Sequence, residues 1–188
     1  MKFLKVKFSN ILFLVVIILL IVPTTRKPIQ VFIHKGLALI SPSKVEESDQ
    51  KTLSNYNWNL QGGDATIYNF NNAKGKVVFI NFWATWCPPC IAEMQSINEL
   101  YKDYNNDVVF LLVTSENEKK VSNFILKNNY DFNFYMPLSE EPDLLYTSSI
   151  PQTYVIDKLG NIVIEKNGAA NWNSESVRSL LDDLLKKE

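Results

Sequence analysis

One histidine, His34, and two cysteines, Cys87 and Cys90, are all that 188 residues hold of those types. That scarcity argues against a metalloprotein. A zinc site takes about four Cys, His or carboxylate ligands, but there is no second cysteine pair, and His34 lies far upstream. A disulfide scaffold is equally unsupported, since bonding cysteines two apart closes a tiny loop that constrains the unfolded chain little. Acidic residues are absent from positions 1–43, whereas the remainder sets 13 of the 19 basic residues against all 20 acidic ones. A soluble part that is net acidic and without basic clusters is unsuited to nucleic acid. No internal repeat or low-complexity tract is present. The length fits one domain of ordinary size with an appendage.

The acid-free part is the appendage. It carries Lys2, Lys5 and Lys7, then twelve uninterrupted apolar residues from Ile11 to Val22, then Pro23-Thr24-Thr25-Arg26-Lys27. Twelve is short of the roughly twenty residues that a membrane span needs. Phe8 and snorkelling lysine stems extend the run, and no small-x-small cleavage site follows it. Residues 1–28 are therefore read as an uncleaved signal anchor, with a cleaved signal peptide as the alternative. Three basic residues lie on each side of the run, so charge alone does not set its orientation. Residues 29–54 read as an apolar interfacial segment, Ile29–Ile40, followed by a polar linker.

Cys87-Pro88-Pro89-Cys90 follows the apolar run Val77-Val78-Phe79-Ile80 and precedes a helical pattern. That is the layout of a thiol–disulfide redox centre. A strand brings the pair to the rim of a sheet, and Cys90 falls in the first helical turn. Free N–H groups and the positive dipole end there favour a thiolate on Cys87. The two prolines suit a helix start and stiffen the loop.

Strands and helices alternate from about residue 56, which implies an α/β class with a central sheet covered on both faces. The pattern predicts a hairpin over 58–70 and a strand Val77–Trp83. A helix Cys90–Tyr104 follows, with Ile91, Met94, Ile97, Leu100 and Tyr101 as a core stripe. Next come a strand Val108–Thr114, a helix Glu118–Asn129, a short strand Phe132–Met136 and a brief helix at 144–146. A hairpin joins Thr153–Asp157 to Ile162–Glu165. A closing amphipathic helix spans Ser174–Lys187, with Val177, Leu180, Leu181, Leu184 and Leu185 inward.

Residues 55–188 resemble a thioredoxin-like fold, a central mixed β-sheet flanked by helices with an N-terminal β-hairpin. More narrowly, they resemble the membrane-anchored TlpA/ResA/DsbE family of extracytoplasmic thiol–disulfide oxidoreductases. The resemblance rests on Lys74–Cys90 and on Ser149-Ile150-Pro151-Gln152-Thr153-Tyr154-Val155-Ile156-Asp157. It implies that Pro151 is cis and lies beside the redox pair. It also implies that Ile150 offers backbone groups to a substrate strand, with Trp86 and Pro88 as further substrate contacts. On sequence alone Pro151 would be an ordinary strand-entry proline. The family also matches Asn81, where thioredoxins carry a buried aspartate, and Glu93, one helical turn beyond Cys90. A half-buried carboxyl at 93 would have a raised pKa and exchange protons with a cysteine; a solvated glutamate is the plainer reading. Family members often have a proline two residues after this glutamate, whereas this chain has Gln95, which predicts a straighter helix.

The function expected is reduction of disulfides in exported proteins, apocytochrome c among the candidates, on the extracytoplasmic (periplasmic) face of the cell membrane. Cys87 attacks, Cys90 resolves, and a membrane electron donor of the CcdA/DsbD type restores the dithiol. No cofactor is implied. The sequence leaves three other functions open. An oxidase would run the same exchange backwards. A thiol peroxidase would want a threonine where Ala84 stands. A non-catalytic binding module would not need the cysteine pair.

Overall fold

The computed structural model describes residues 8–186. The basic flank Lys2, Lys5 and Lys7 and the end of the last expected helix, Lys187, lie outside them. Seven strands form one sheet, β1 (Asn59–Gly62), β2 (Ile67–Asn69), β3 (Val77–Phe82), β4 (Val108–Val113), β5 (Phe134–Pro137), β6 (Gln152–Ile156) and β7 (Ile162–Asn167), in the order β2-β1-β5-β4-β3-β6-β7. β3, β4 and β5 are parallel neighbours, and the β1–β2 and β6–β7 hairpins flank them antiparallel. Among the described residues five α-helices accompany the sheet, α1 (Phe8–Ile21), α2 (Pro23–Leu37), α3 (Pro88–Tyr104), α4 (Glu118–Asn128) and α5 (Glu175–Lys186).

Both faces of β3 are buried, which is why it reads as a continuous apolar run instead of an alternating one. Val77 and Phe79 join Met94, Ile97, Leu100 and Leu181 in one core cluster, while Val78 and Ile80 join Trp58, Leu60, Phe70 and Tyr154 in the other. With a side-chain period of two, Asn81 continues the Val77–Phe79 face and is aimed at α3. Of the expected α3 stripe, Met94, Ile97 and Leu100 are fully buried, while Ile91 and Tyr101 are partly so. In the turn between β6 and β7, Gly160 adopts φ +88°, and a Cβ there would meet the Tyr56 hydroxyl at 2.8 Å. A side chain would be strained in that position twice over.

The N-terminal arm departs from expectation in two ways. The apolar run and the segment after it form two helices, with Ser9–Leu19 and Thr24–Gly36 bent by 87°. Among the described residues no single helix is long and apolar enough to cross a membrane, though the bent pair together has the length and composition. Pro23 occupies the first turn of α2, where its missing N–H would be unpaired anyway. α2 packs against α3. The stretch expected as a polar linker is irregular but tied down. Val45 N–H donates to the Val163 carbonyl at 2.9 Å, Ile162 N–H to the Lys51 carbonyl at 2.9 Å and Leu53 N–H to the Gly160 carbonyl at 2.8 Å, and Leu53 enters the core.

Candidate redox site

β3 ends at Phe82, and the chain turns through Trp83–Cys87 into α3. Trp83 anchors the turn. Its ring packs on Phe124 and Phe132, and its backbone N–H donates to the Val113 carbonyl at 3.0 Å. Cys87 N–H closes the turn on the Ala84 carbonyl at 3.2 Å. Cys87 is the N-cap of α3 with extended φ/ψ, and its Sγ accepts the Cys90 N–H at 3.3 Å. Pro88 and Pro89 fill the first two helical positions, so the helix start leaves few free donors, and Cys90 N–H is aimed at the sulfur. Cys87 and Cys90 are joined as a disulfide. Cys87 is 3% exposed and Cys90 fully buried. Both sulfurs are well enclosed in the disulfide form.

The Ile150–Pro151 bond is cis, and the Ile150 carbonyl oxygen lies 3.8 Å from Cys87 Sγ. Trp86, 59% exposed, and Ile150 line one cavity of about 420 Å³ with Phe82, Glu116 and Glu141. Pro88, half-buried, does not line that cavity.

Glu93 is fully buried, which corrects the expected half-buried position. Gln95, where relatives often carry a proline, is exposed and bonds Glu99 at 2.9 Å, and Glu93 points inward. Glu93 accepts three donors. Asn81 Nδ2 reaches Oε1 at 2.9 Å, while Ala170 N–H at 3.1 Å and the Trp172 indole N–H at 2.8 Å reach Oε2. Asn81 Nδ2 also donates to the Thr153 hydroxyl at 2.7 Å. Burial raises the Glu93 pKa to about 7, against the opposing pull of these hydrogen bonds and of Lys166. A carboxyl poised there can hold or release a proton near neutral pH.

Sequence reasoning missed Trp172, Ala170 and Glu116. Trp172 is the lone aromatic of a polar Asn171-Trp172-Asn173 stretch, which is itself a signal. Glu116 follows β4, and parallel β3 and β4 must release their C-terminal loops at the same sheet edge.

A family model described as Redoxin matches residues 57–184. The thiol-disulfide oxidoreductase ResA of Bacillus thuringiensis subsp. konkukian is 33% identical over 133 residues, 68% of this chain and 70% of its own length. ResA of Geobacillus thermodenitrificans is 32% identical over 128 residues, 66% of this chain and 71% of its own. Among solved structures, an exposed lipoprotein thioredoxin of Streptococcus pneumoniae is 28% identical with a TM-score of 0.50, covering 69% of this chain and 98% of its own. A DsbF homologue of Corynebacterium diphtheriae, 16% identical over 76% of this chain and 90% of its own, has a TM-score of 0.58 and speaks for the fold alone. The mixed sheet flanked by helices is thioredoxin-like, as the resemblance implied.

Proposed function

We propose, from the premise that this chain belongs to the redoxin family and is a thiol–disulfide oxidoreductase of the ResA type, that it reduces disulfides in exported proteins from the outer face of the cell membrane. The observation that carries the reading is the meeting of Cys87, at the N-terminus of α3, with the Ile150 carbonyl 3.8 Å away. A nucleophilic sulfur thereby stands beside backbone groups that can hold an extended substrate segment.

In the reduced protein the Cys87 thiolate attacks one sulfur of the substrate disulfide. That S–S bond breaks, a mixed disulfide forms, and the other substrate sulfur leaves as a thiolate. Cys90, deprotonated, then attacks Cys87 Sγ and expels the second substrate thiolate, leaving Cys87–Cys90 oxidised and the substrate carrying two thiols. Glu93 is the group proposed to take the Cys90 proton, and its elevated pKa suits that exchange. Trp86, Pro88, Ile150 and Pro151 are the proposed substrate contacts.

Two electrons must return to the pair after each turnover, and a membrane donor of the CcdA/DsbD type fits that need. The cysteine pair of apocytochrome c, in its disulfide form, is one substrate among the exported proteins considered. Membrane attachment is supported by α1, whose apolar side chains from Ile11 to Leu19, all but the partly buried Ile17, are exposed, as suits a segment solvated by lipid.

Trapping with the two single variants tests the chemistry. Cys90→Ser should accumulate mixed disulfides through Cys87, Cys87→Ser should form none, and wild type should reduce insulin. Capture by Cys87→Ser but not by Cys90→Ser would reverse the assignment of the two sulfurs.

A further inference from the structure

We propose that Glu116 is a positioning residue for the redox turn, holding Thr85, and through it Cys87, in the arrangement used for exchange. The inference rests on the reading above that Cys87 is the attacking sulfur. β4 runs parallel to β3, so the segment after Val113 emerges beside the turn after Phe82. The Glu116 side chain there is only 11% exposed. One of its oxygens, Oε2, accepts the Thr85 N–H. The other accepts the Thr85 hydroxyl at 3.0 Å and the Lys120 ammonium. The remaining polar group of Thr85, its carbonyl, accepts Lys27 Nζ from α2 at 2.8 Å. One carboxylate therefore fixes two of the three polar groups of a buried residue that lies inside the turn closed by Cys87 N–H on Ala84.

A carboxylate that leaves water is unfavourable unless it is paired and hydrogen-bonded. Glu116 is both, and the same atoms that satisfy it restrain the turn. Thr85 cannot shift without displacing the N-cap sulfur two residues on, and small misplacements of a nucleophile lower exchange rates steeply. The pairing with Lys120 also leaves little net charge at this point. Besides Glu116, the charged groups around the turn and the cysteine pair are Lys27 from α2, Lys120 from α4, Glu141 across the same cavity, and Glu93 of α3, whose titration is common to all the variants compared. Removing Glu116 alone leaves the cations uncompensated and favours a thiolate on Cys87, whereas removing Lys120 alone leaves the anion and disfavours it.

The opposed signs set the experiment. In the reduced full-length protein, the rate of Cys87 alkylation by iodoacetamide is followed against pH for wild type, Glu116→Gln, Lys120→Gln, Thr85→Ser and Thr85→Val, with thermal melts alongside. Glu116→Gln should move the Cys87 profile down by about half a pH unit and Lys120→Gln should move it up by about as much. Thr85→Val should slow insulin reduction by about tenfold, and Thr85→Ser, which keeps the hydroxyl, should restore most of the rate. Glu116→Gln and Lys120→Gln preserve side-chain size, so the test survives if a harsher Glu116→Ala variant does not fold. Profiles that coincide with wild type, or that move in one direction for both charge variants, would overturn the proposal even if melting temperatures fell. If the profiles split as expected but no variant, wild type included, reduces any disulfide, the positioning role stands and the proposed reaction falls.

Discussion

Glu93 is pulled in opposite directions by its surroundings. Burial in the core favours the neutral acid, while Trp172, Asn81 and Ala170 N–H all donate to it and favour the carboxylate. Burial prevails, and the folded pKa of about 7 stands above the ordinary 4.5. For an acid whose folded pKa is raised, ionisation weakens the fold. The penalty is absent below about pH 4.5, grows between 4.5 and 7, and is constant above that. Glu93→Gln removes the titration and keeps the shape, and Asn81 can accommodate it by turning its amide, whose Oδ1 is buried without a partner. The stability of Glu93→Gln relative to wild type should therefore rise with pH across this window, by on the order of 3 kcal/mol at most. Urea denaturation at pH 4.5 and pH 8 measures the difference. The same variant should lose the inflection near pH 7 in its rate of disulfide exchange. An identical stability difference at both pH values would mean that the carboxyl is not raised.

At the scale of elements, the pieces that the sequence announced were those with local causes. β3 and α3 follow from an apolar run meeting two prolines, and α4 and α5 follow from apolar residues at helical spacing, so each was placed to within a residue or two. In the polar half of the site, Glu93 and Asn81 were legible through the resemblance, but the groups that hold them and the redox turn were not, because those partners are remote. Glu93 and Trp172 lie on α3 and in the connection between β7 and α5, and Thr85 and Glu116 meet only once β3 and β4 pair in parallel. α2 escaped for a different reason. Pro23, Pro28 and Gly36 obscure its helical pattern, and nothing local reveals that it will pack on α3. The connection between β7 and α5 then has a measurable role. Trp172 stands edge-on to Phe79, with ring centroids 5.1 Å apart, while donating to Glu93. Trp172→Phe keeps most of the ring contact and loses the donor, so it should destabilise by about 1–3 kcal/mol. It should also push the Glu93 pKa further up, because one of the bonds that favour the carboxylate is gone. A pH–rate inflection that moves upward, together with a lower midpoint in urea, would meet this expectation. An inflection that moves downward would not.

For the molecule as a whole, the proposed membrane attachment constrains how the arm and the redox domain would lie. α1 has 14 residues, about 21 Å at 1.5 Å per residue, against a hydrocarbon core of about 30 Å. It therefore reaches across only if residues on either side join it, or it sits tilted into one leaflet with the 87° bend at the surface. If the attachment proposed above holds, Arg26, Lys27 and Lys35 on α2 would in either case lie at the headgroup level, where basic side chains are favoured by anionic lipid. Lys27 is the residue that holds the Thr85 carbonyl, so the proposed attachment brings the redox turn close to the bilayer. That is where a membrane electron donor would present its own cysteines. The even split of basic residues around the apolar run leaves sidedness to experiment. If the domain faces outward, protease added to intact spheroplasts should digest it and leave only a small membrane-bound fragment. A variant without residues 1–43 should be released from the membrane fraction. Complete protection until lysis would put Cys87 and Cys90 on the cytoplasmic side, and the proposed action on exported proteins would then have to be abandoned along with the membrane donor that it requires.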